Sequence, residues 1–112
     1  MEAVKAKEKY VVALVTVPDR KTGRKLAKVI LEGRAAACVN IVSSLESWYW
    51  WQGRVEQGKE LLLLIKTTAD RLATLEETVL KNHPYDTPEF VVLQIDSGNE
   101  KYLRWICDSV VE

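Results

Sequence analysis

Few side chains in this 112-residue sequence have the chemistry to hold a metal ion or drive a reaction. His83 is the single histidine and precedes a proline in the segment HPY, where a helix is expected to end. Imidazole is the commonest side-chain ligand for copper and zinc, so His83 is a candidate metal ligand. The alternative is a helix-terminal residue that packs and caps without binding a metal.

The two cysteines, Cys38 and Cys107, lie far apart and match neither a disulfide framework nor a metal-binding spacing. Cys38 follows a run of small residues at the start of an expected strand. It can serve as a small buried hydrophobe or, as a thiolate, as a second metal ligand. Cys107 has no partner motif, and we assign it no role. This cysteine usage is typical of a reducing compartment.

A second group of polar side chains surrounds the end of the apolar segment Leu61–Ile65. Lys66 follows that segment directly, and its ammonium must reach solvent, a carboxylate or an anion, because unpartnered burial is costly. We expect antiparallel pairing to bring Glu89, at the start of the fourth strand, next to Lys66. With Tyr85 and Trp51, this pair predicts a small anion- or ligand-binding cleft between subunits. A structural ion pair that locks the subunits together is the alternative.

No arrangement typical of an enzyme occurs in the sequence. Ser43 and Ser44 lack the context of a nucleophilic serine, and no glycine-rich phosphate loop is present. An acid–base pair of His83 with Glu89 has no specific support. We therefore predict no catalytic residues.

The segments that must position these residues follow in the order β-α-β-β-α-β, with a final helix. The expected strands are residues 10–17, 36–51, 54–68 and 90–95, and the helices begin at Asp19, Asp70 and Asn99. A bulge or kink is expected at Ser43-Ser44, and a tight turn at Gln52-Gly53. This order is typical of a ferredoxin-like α+β subunit, with a four-stranded antiparallel sheet and both main helices on one face.

The strands are apolar on both faces, although the two main helices cover only one. A sheet with one solvated face would alternate polar and apolar residues, which YVVALV and LLLLI do not. Trp48, Tyr49, Trp50 and Trp51 add large apolar surfaces within one expected strand. We therefore predict that copies of the chain bury these four residues and Leu63 at an interface.

Charge and composition argue against several classes of partner. Sixteen basic side chains balance sixteen acidic ones, so no general attraction to nucleic acid is expected. The third strand also lacks the stacking aromatics of the RNA-recognition domain, which shares this element order. Apolar runs are far shorter than the roughly 20 residues that span a bilayer.

The polar N-terminus predicts the domain organisation and the location of the protein. It contains no apolar signal region before a cleavage site, so we predict a cytoplasmic protein without membrane contact. Residues 1–9 are expected to be a flexible extension, and residues 10–112 a single domain.

Five segments carry a family resemblance: RAAACVNIV, ESWYWWQGRVE, LLLLIKTT, HPYDTPE and GNEKYLRWI. In order and spacing they resemble the CutA family, the divalent-cation-tolerance proteins, from roughly Val11 to Val110. The resemblance implies a compact homotrimer held by a long hairpin of the second and third strands. It also implies binding of copper (Cu2+) or another divalent cation, and no enzymatic activity.

Two positions depart from the copper-associated members of that family. Those members carry a further histidine and a cysteine where this chain has Asn82 and Val15. The architecture also resembles the nitrogen-regulatory signal-transduction trimers. A signalling or small-ligand-binding trimer is therefore the alternative function, and the sequence identifies no partner protein.

Overall fold

A computed structural model describes residues 9–111 of the chain. Its elements are β1 (Tyr10–Val17), α1 (Arg20–Glu32), β2 (Cys38–Trp51), β3 (Arg54–Thr68), a 3-10 turn (Ala69–Arg71), α2 (Leu72–Asn82), β4 (Val91–Gln94) and α3 (Glu100–Ser109). This confirms the predicted α+β order with a C-terminal helix. The predicted N-terminal extension lies outside the described residues, apart from Lys9.

Local signals fix where the helices begin and end. The Asp19 carboxylate accepts the Thr22 backbone N–H at 2.8 Å, and this bond lowers the pKa of Asp19. Asn99 caps α3 in the same way. The α2 helix ends at Asn82, because Pro84 disfavours helical geometry in the residue before it. None of the helices within residues 9–111 has the length and apolar character to cross a membrane.

The four strands form one antiparallel sheet in the order β2-β3-β1-β4. The central strand β1 pairs with β3 along its whole length and with β4 from Val11 to Leu14. Because β1 is antiparallel to both neighbours, β3 and β4 run parallel to each other on either side of it. The start of β4 at Val91 is therefore level with Leu64 of β3, not with the end of β3.

Alternate residues of β1 and β3 face the two helices α1 and α2 and form the core with them. Its fully buried side chains include Ala13, Val15, Val17, Leu26, Ile30, Leu63, Ile65, Leu75 and Val79. Leu63 is 0% exposed within this core, so the prediction that it lies at a subunit interface is wrong. Side chains alternate along β3, so Leu63 faces the helices and Leu64 faces the opposite side. Because Leu61–Ile65 are all apolar, the sequence does not show this alternation.

The side chains between these buried residues of β1 and β3 lie on the opposite side of the sheet, which we call the open face. On the central strands it consists of Val12, Leu14, Leu62, Leu64 and Lys66, all partly exposed. The α3 helix covers one end, where Leu103 and Ile106 pack with Tyr10. The two main helices therefore leave the open face to other contacts, as the sequence predicts.

The β2 and β3 strands extend beyond the rest of the sheet as a long hairpin. The predicted bulge is confirmed at Ser44, whose φ is 66° where the strand register shifts. Gln52 and Gly53, with φ values of 50° and 76°, make the predicted tight turn. The hairpin gives the chain a radius of gyration of 15.0 Å, against about 13 Å for a compact domain of this length.

Substituting alanine for Gly53 and for Gly58 is expected to change stability in opposite directions. Gly53 has a φ of 76°, where a side chain costs about 1 kcal/mol. A Cβ on Gly58 would meet nothing closer than the Tyr49 hydroxyl at 3.6 Å. Gly58→Ala should therefore stabilise by about 0.4–1 kcal/mol, through lost freedom of the unfolded chain. Urea unfolding of both variants and the wild type at one protein concentration measures the two changes in the free energy of unfolding. Changes of the same sign would contradict the turn geometry.

Candidate functional site

His83 lies at the end of α2, and its ring joins two backbone segments. Its Nε2 is 2.8 Å from the Thr16 carbonyl oxygen, and its Nδ1 accepts the Tyr85 backbone N–H at 3.1 Å. A neutral imidazole offers one donor and one acceptor nitrogen, so the Nε2–H tautomer satisfies both bonds. The rings of His83 and Tyr85 also pack with centroids 4.7 Å apart. The fold uses both nitrogens, and a metal ion would have to displace one of these bonds.

Cys38 begins β2 and is separate from His83 in the sheet. Its Sγ lies 3.5 Å from the Asn40 side-chain oxygen. Cys38 is level with Lys66 and Val12, four residues along β1 from Thr16, the partner of His83. Four residues of strand span about 13 Å, so one chain does not bring Cys38 and His83 together.

The described residues of one chain do not fit a copper site. Within residues 9–111, no group of three or more histidine, cysteine, aspartate or glutamate side chains could hold a metal ion. The histidine is occupied by backbone bonds, and the thiol of Cys38 lies elsewhere in the sheet. A metal site in this protein therefore needs donors beyond those that a single chain assembles.

The predicted pair of Lys66 with Glu89 does not form within the chain. Lys66 is level with Val12 on β1, and continuing the β1–β4 register by two residues places Glu89 beside Thr16. The expectation of antiparallel pairing between the third and fourth strands is wrong, because β1 lies between them. The Lys66 ammonium instead lies 5.7 Å from the ring centroid of Tyr102 on α3, a cation–π contact.

Glu89 belongs to an acidic cluster with Glu60 and Tyr85. The Tyr85 hydroxyl donates a hydrogen bond to the Glu60 carboxylate at 2.9 Å. Loss of hydration raises the pKa of Tyr85 above its ordinary value, and the bond to Glu60 raises it further. Loss of hydration also raises the pKa of Glu89, and the negative charge of Glu60 adds to the shift. This cluster lies toward the opposite end of β1 from Lys66.

The raised pKa of Glu89 has a definite effect on stability. The folded chain holds this proton more tightly than the unfolded chain, where a glutamate has a pKa of about 4.5. The contribution of Glu89 to the free energy of unfolding is therefore present at low pH and is lost as pH rises through the folded-state pKa. Ionisation of Glu89 is therefore unfavourable in the folded chain, and a nearby cation would favour it.

Trp51 does not join Tyr85 within the chain. It pairs with Arg54 beside the hairpin turn, six residues along β3 from Glu60. Six strand residues span about 20 Å, so the predicted cleft of Lys66, Glu89, Tyr85 and Trp51 is divided among three places in one chain.

The end of the hairpin presents four aromatic rings, which we call the aromatic tip: Trp48, Tyr49, Trp50 and Trp51. Trp48 is 62% exposed, Trp50 is 75% exposed and Trp51 is 56% exposed. The Trp48 indole donates to the Glu46 carboxylate at 2.7 Å, which holds this ring on the strand surface. Because side chains alternate along a strand, Trp48 and Trp50 lie on one face of the hairpin and Tyr49 and Trp51 on the other. Exposed apolar rings of this size are typical of an interaction site.

Glu60 is the site residue that the sequence pattern did not single out. It precedes the apolar run of β3, and its immediate neighbours do not distinguish it from other glutamates. Tyr85 reaches Glu60 only because the chain turns back toward β3 after α2. One signal was available, since Glu60, Leu62, Leu64 and Lys66 alternate along one strand and place opposite charges at the two ends of an apolar stripe.

Residues 11–109 match the family model described as CutA1 divalent ion tolerance protein. The chain is 46% identical over 112 residues to "Protein CutA 1, chloroplastic" of Oryza sativa, covering 100% of this chain and 63% of that protein. It is 48% identical over 99 residues to "Protein CutA, chloroplastic" of Arabidopsis thaliana, covering 88% of this chain and 54% of that protein. It thus spans less than two thirds of either plant relative.

A bacterial relative is matched over nearly its full length. The "Divalent-cation tolerance protein CutA" of Thermus thermophilus is 50% identical over 95 residues, covering 85% of this chain and 92% of that protein. Among solved structures, CutA1 from Oryza sativa has a TM-score of 0.90 at 46% identity, covering 96% of this chain and 98% of the other. The periplasmic divalent cation tolerance protein CutA from Archaeoglobus fulgidus has a TM-score of 0.88 at 31% identity, covering 91% and 99%.

The expectation of a cytoplasmic protein is wrong. Both plant relatives are named chloroplastic, and the Archaeoglobus structure is described as that of a periplasmic protein. The expectation rested on a polar N-terminus and free cysteines, and neither feature identifies a compartment within this family.

The TM-scores show that these relatives share the fold of this chain. Together with the family match over residues 11–109, they establish that the chain belongs to the CutA1 divalent ion tolerance protein family.

Proposed function

We propose that the protein acts as a non-enzymatic homotrimer in divalent-cation tolerance. The observation that supports assembly most strongly is the aromatic tip, whose rings are exposed at the end of a hairpin that projects beyond the core. Each such ring can bury roughly 150–250 Å², worth several kcal/mol at about 25 cal/mol per Å². The exposed surface supports self-association, and the number of three subunits comes from the family resemblance.

The edge of the sheet also favours self-association. The β4 strand is an edge strand of the sheet that residues 9–111 form, so no strand of this described part pairs with its outer side, and its Val91 and Leu93 side chains are exposed. An exposed apolar edge is a template for pairing with another chain. Contact between copies would cover this edge together with the open face.

A ligand cleft is proposed between subunits, with Lys66 of one chain near Glu89 and Tyr85 of the next. The proposal is supported by the charges on the sheet, where a lysine and an acidic cluster lie toward opposite ends of an apolar stripe. A neighbouring copy related by rotation can bring unlike ends together. The hairpin is long enough to carry Trp51 from its own core to such a junction.

Divalent-cation binding is proposed to be weak and to use donors from more than one subunit. Among the described residues of one chain, neither His83 nor Cys38 belongs to a group of side chains that could hold a metal ion. The acidic cluster offers carboxylate oxygens, which suit hard cations better than they suit copper. Copper or another divalent cation would therefore bind at groups that assembly brings together.

His83→Ala is expected to lower stability and to leave copper affinity unchanged. The substitution removes two hydrogen bonds and leaves the Thr16 carbonyl without its donor, which costs about 1–3 kcal/mol. Urea unfolding and isothermal titration with copper(II) on the same samples measure the two effects. A tenfold or greater loss of copper affinity in His83→Ala would contradict this account. The same loss in Cys38→Ser would identify the thiol as a ligand.

Trp50→Glu is expected to convert the oligomer to monomer without unfolding the subunit. Trp50 is 75% exposed in one chain, so a charge there is harmful only if a second chain covers it. Leu80→Glu is the matched control, since Leu80 is 50% exposed but lies on α2 in the helix layer. Light scattering should give three times the 12.8 kDa chain mass for wild type and Leu80→Glu. A wild-type monomer, or a Trp50→Glu trimer, would refute the proposed interface.

Lys66→Met is expected to raise the pKa of Glu89 if the two residues meet between subunits. A neighbouring ammonium favours the ionised carboxylate, so its removal leaves only the burial and the Glu60 charge that raise the pKa. Carboxyl NMR titration of the trimer measures the shift. Lys101→Met, on the exposed side of α3, is the control. An identical Glu89 pKa in both variants would show that the pair does not form.

A further inference from the structure

The solvent side of α1 carries a concentrated group of cations that the cation-tolerance role does not use. We call this the basic face, and its exposed members are Arg20, Lys21, Arg24, Lys25 and Lys28. With 3.6 residues per turn, the five fall within an arc of about 140° and a length of about 12 Å. The buried residues of the helix, Gly23, Leu26 and Ile30, lie on the other side.

This arrangement works against the stability of the helix that carries it. Arg24 follows Arg20, Lys28 follows Arg24, and Lys25 follows Lys21, each at a spacing of four residues, where like charges are adjacent and repel. Cations in the first turn also oppose the helix dipole, and that turn contains no acidic residue. Helix stability therefore does not account for the basic face.

The described chain offers the basic face one nearby charge, the Asp19 carboxylate at the start of the helix, which attracts Lys21 without forming an ion pair. Within residues 9–111, no carboxylate forms an ion pair with any member of the basic face. Arg20 donates a hydrogen bond to the Ser43 hydroxyl at 2.7 Å, and this is a neutral partner. The chain has a formal net charge of zero, yet five of its sixteen basic side chains are concentrated on this one helix.

We propose that the basic face docks an acidic peptide segment of a partner protein. The row of Arg20, Arg24 and Lys28 repeats about every 6 Å along the helix. Alternate residues of an extended peptide repeat about every 6.8 Å, so carboxylates on alternate residues match this row. Leu31, exposed at the C-terminal end of the same side, offers a contact for one apolar residue of the segment.

The surroundings of the basic face favour a narrow partner over a broad one. Glu32 ends α1, and α2, which packs beside α1, exposes Glu76 and Glu77. A flat anionic membrane or a nucleic-acid duplex would place its phosphates over these carboxylates as well. The face also lacks the several apolar side chains that insert into a membrane interface and the aromatic rings that stack on bases.

Fluorescence anisotropy with a labelled peptide of alternating glutamate and serine tests the proposal. The wild-type protein should bind the peptide at low ionic strength and release it as salt rises. The variant Arg24→Gln, Lys25→Gln, Lys28→Gln should bind about tenfold more weakly, as expected for three exposed charge contacts. Arg20 is left in place because of its bond to Ser43. Circular dichroism and light scattering verify that the fold and oligomer mass are unchanged, which separates this test from that of assembly.

A matched variant, Lys81→Gln, Lys101→Gln, Arg104→Gln, removes the same charge from α2 and α3. It should retain wild-type affinity for the peptide. Equal weakening in both triple variants, or no binding by the wild type, would overturn the proposal. Duplex DNA and vesicles containing phosphatidylserine are the remaining arms of the experiment. If the wild-type protein binds DNA or vesicles more tightly than the peptide, and the α1 variant loses that binding, the basic face recognises that polyanion. This result would overturn the proposal of a peptide partner.

Discussion

The need to cover both faces of one four-stranded sheet is the constraint on which the rest of this structure depends. The α1 and α2 helices cover one face, and α3 covers only an end of the other. Because side chains alternate along β1 and β3, half of their apolar residues are directed to the face that the main helices leave open. One chain therefore leaves part of this apolar surface exposed, and the proposed assembly would cover it.

The long hairpin follows from the same constraint. Its outer part pairs only with itself, so its backbone bonds are satisfied while its side chains have no core beneath them. An isolated two-stranded ribbon is marginally stable in water. The bulge at Ser44 and the left-handed turn at Gln52 and Gly53 fix its register and twist. They determine where the aromatic tip is presented, and a covering surface on a neighbouring subunit would supply the remaining stability.

The fold could be predicted from the sequence because its signals are local, whereas the site could not because it depends on strand order. Turn and capping residues such as Gly53 and Asp19 act within a few positions of themselves. The pairing of Lys66 with Glu89 required knowing that β1 lies between β3 and β4. His83 bonds to a carbonyl 67 residues away, which no local pattern reveals. Leu63 was misplaced for a related reason, since an uninterrupted apolar run does not indicate which residues face the helices.

The hydrogen bonds that His83 makes within the fold limit how this protein can bind divalent cations. An imidazole whose two nitrogens hold β1 to the segment after α2 can bind a metal only by giving up part of the fold. The free energy lost with those hydrogen bonds would weaken metal binding by the same amount. The carboxylates of Glu60 and Glu89 are the alternative donors. Glu60 accepts a hydrogen bond from the Tyr85 hydroxyl, and burial together with the Glu60 charge raises the pKa of Glu89, so a cation bound there would be favoured. If the remaining donors come from a neighbouring subunit, a cation binds only the assembled state and stabilises it by mass action. Cation binding and subunit association would then be thermodynamically coupled, so that each one favours the other.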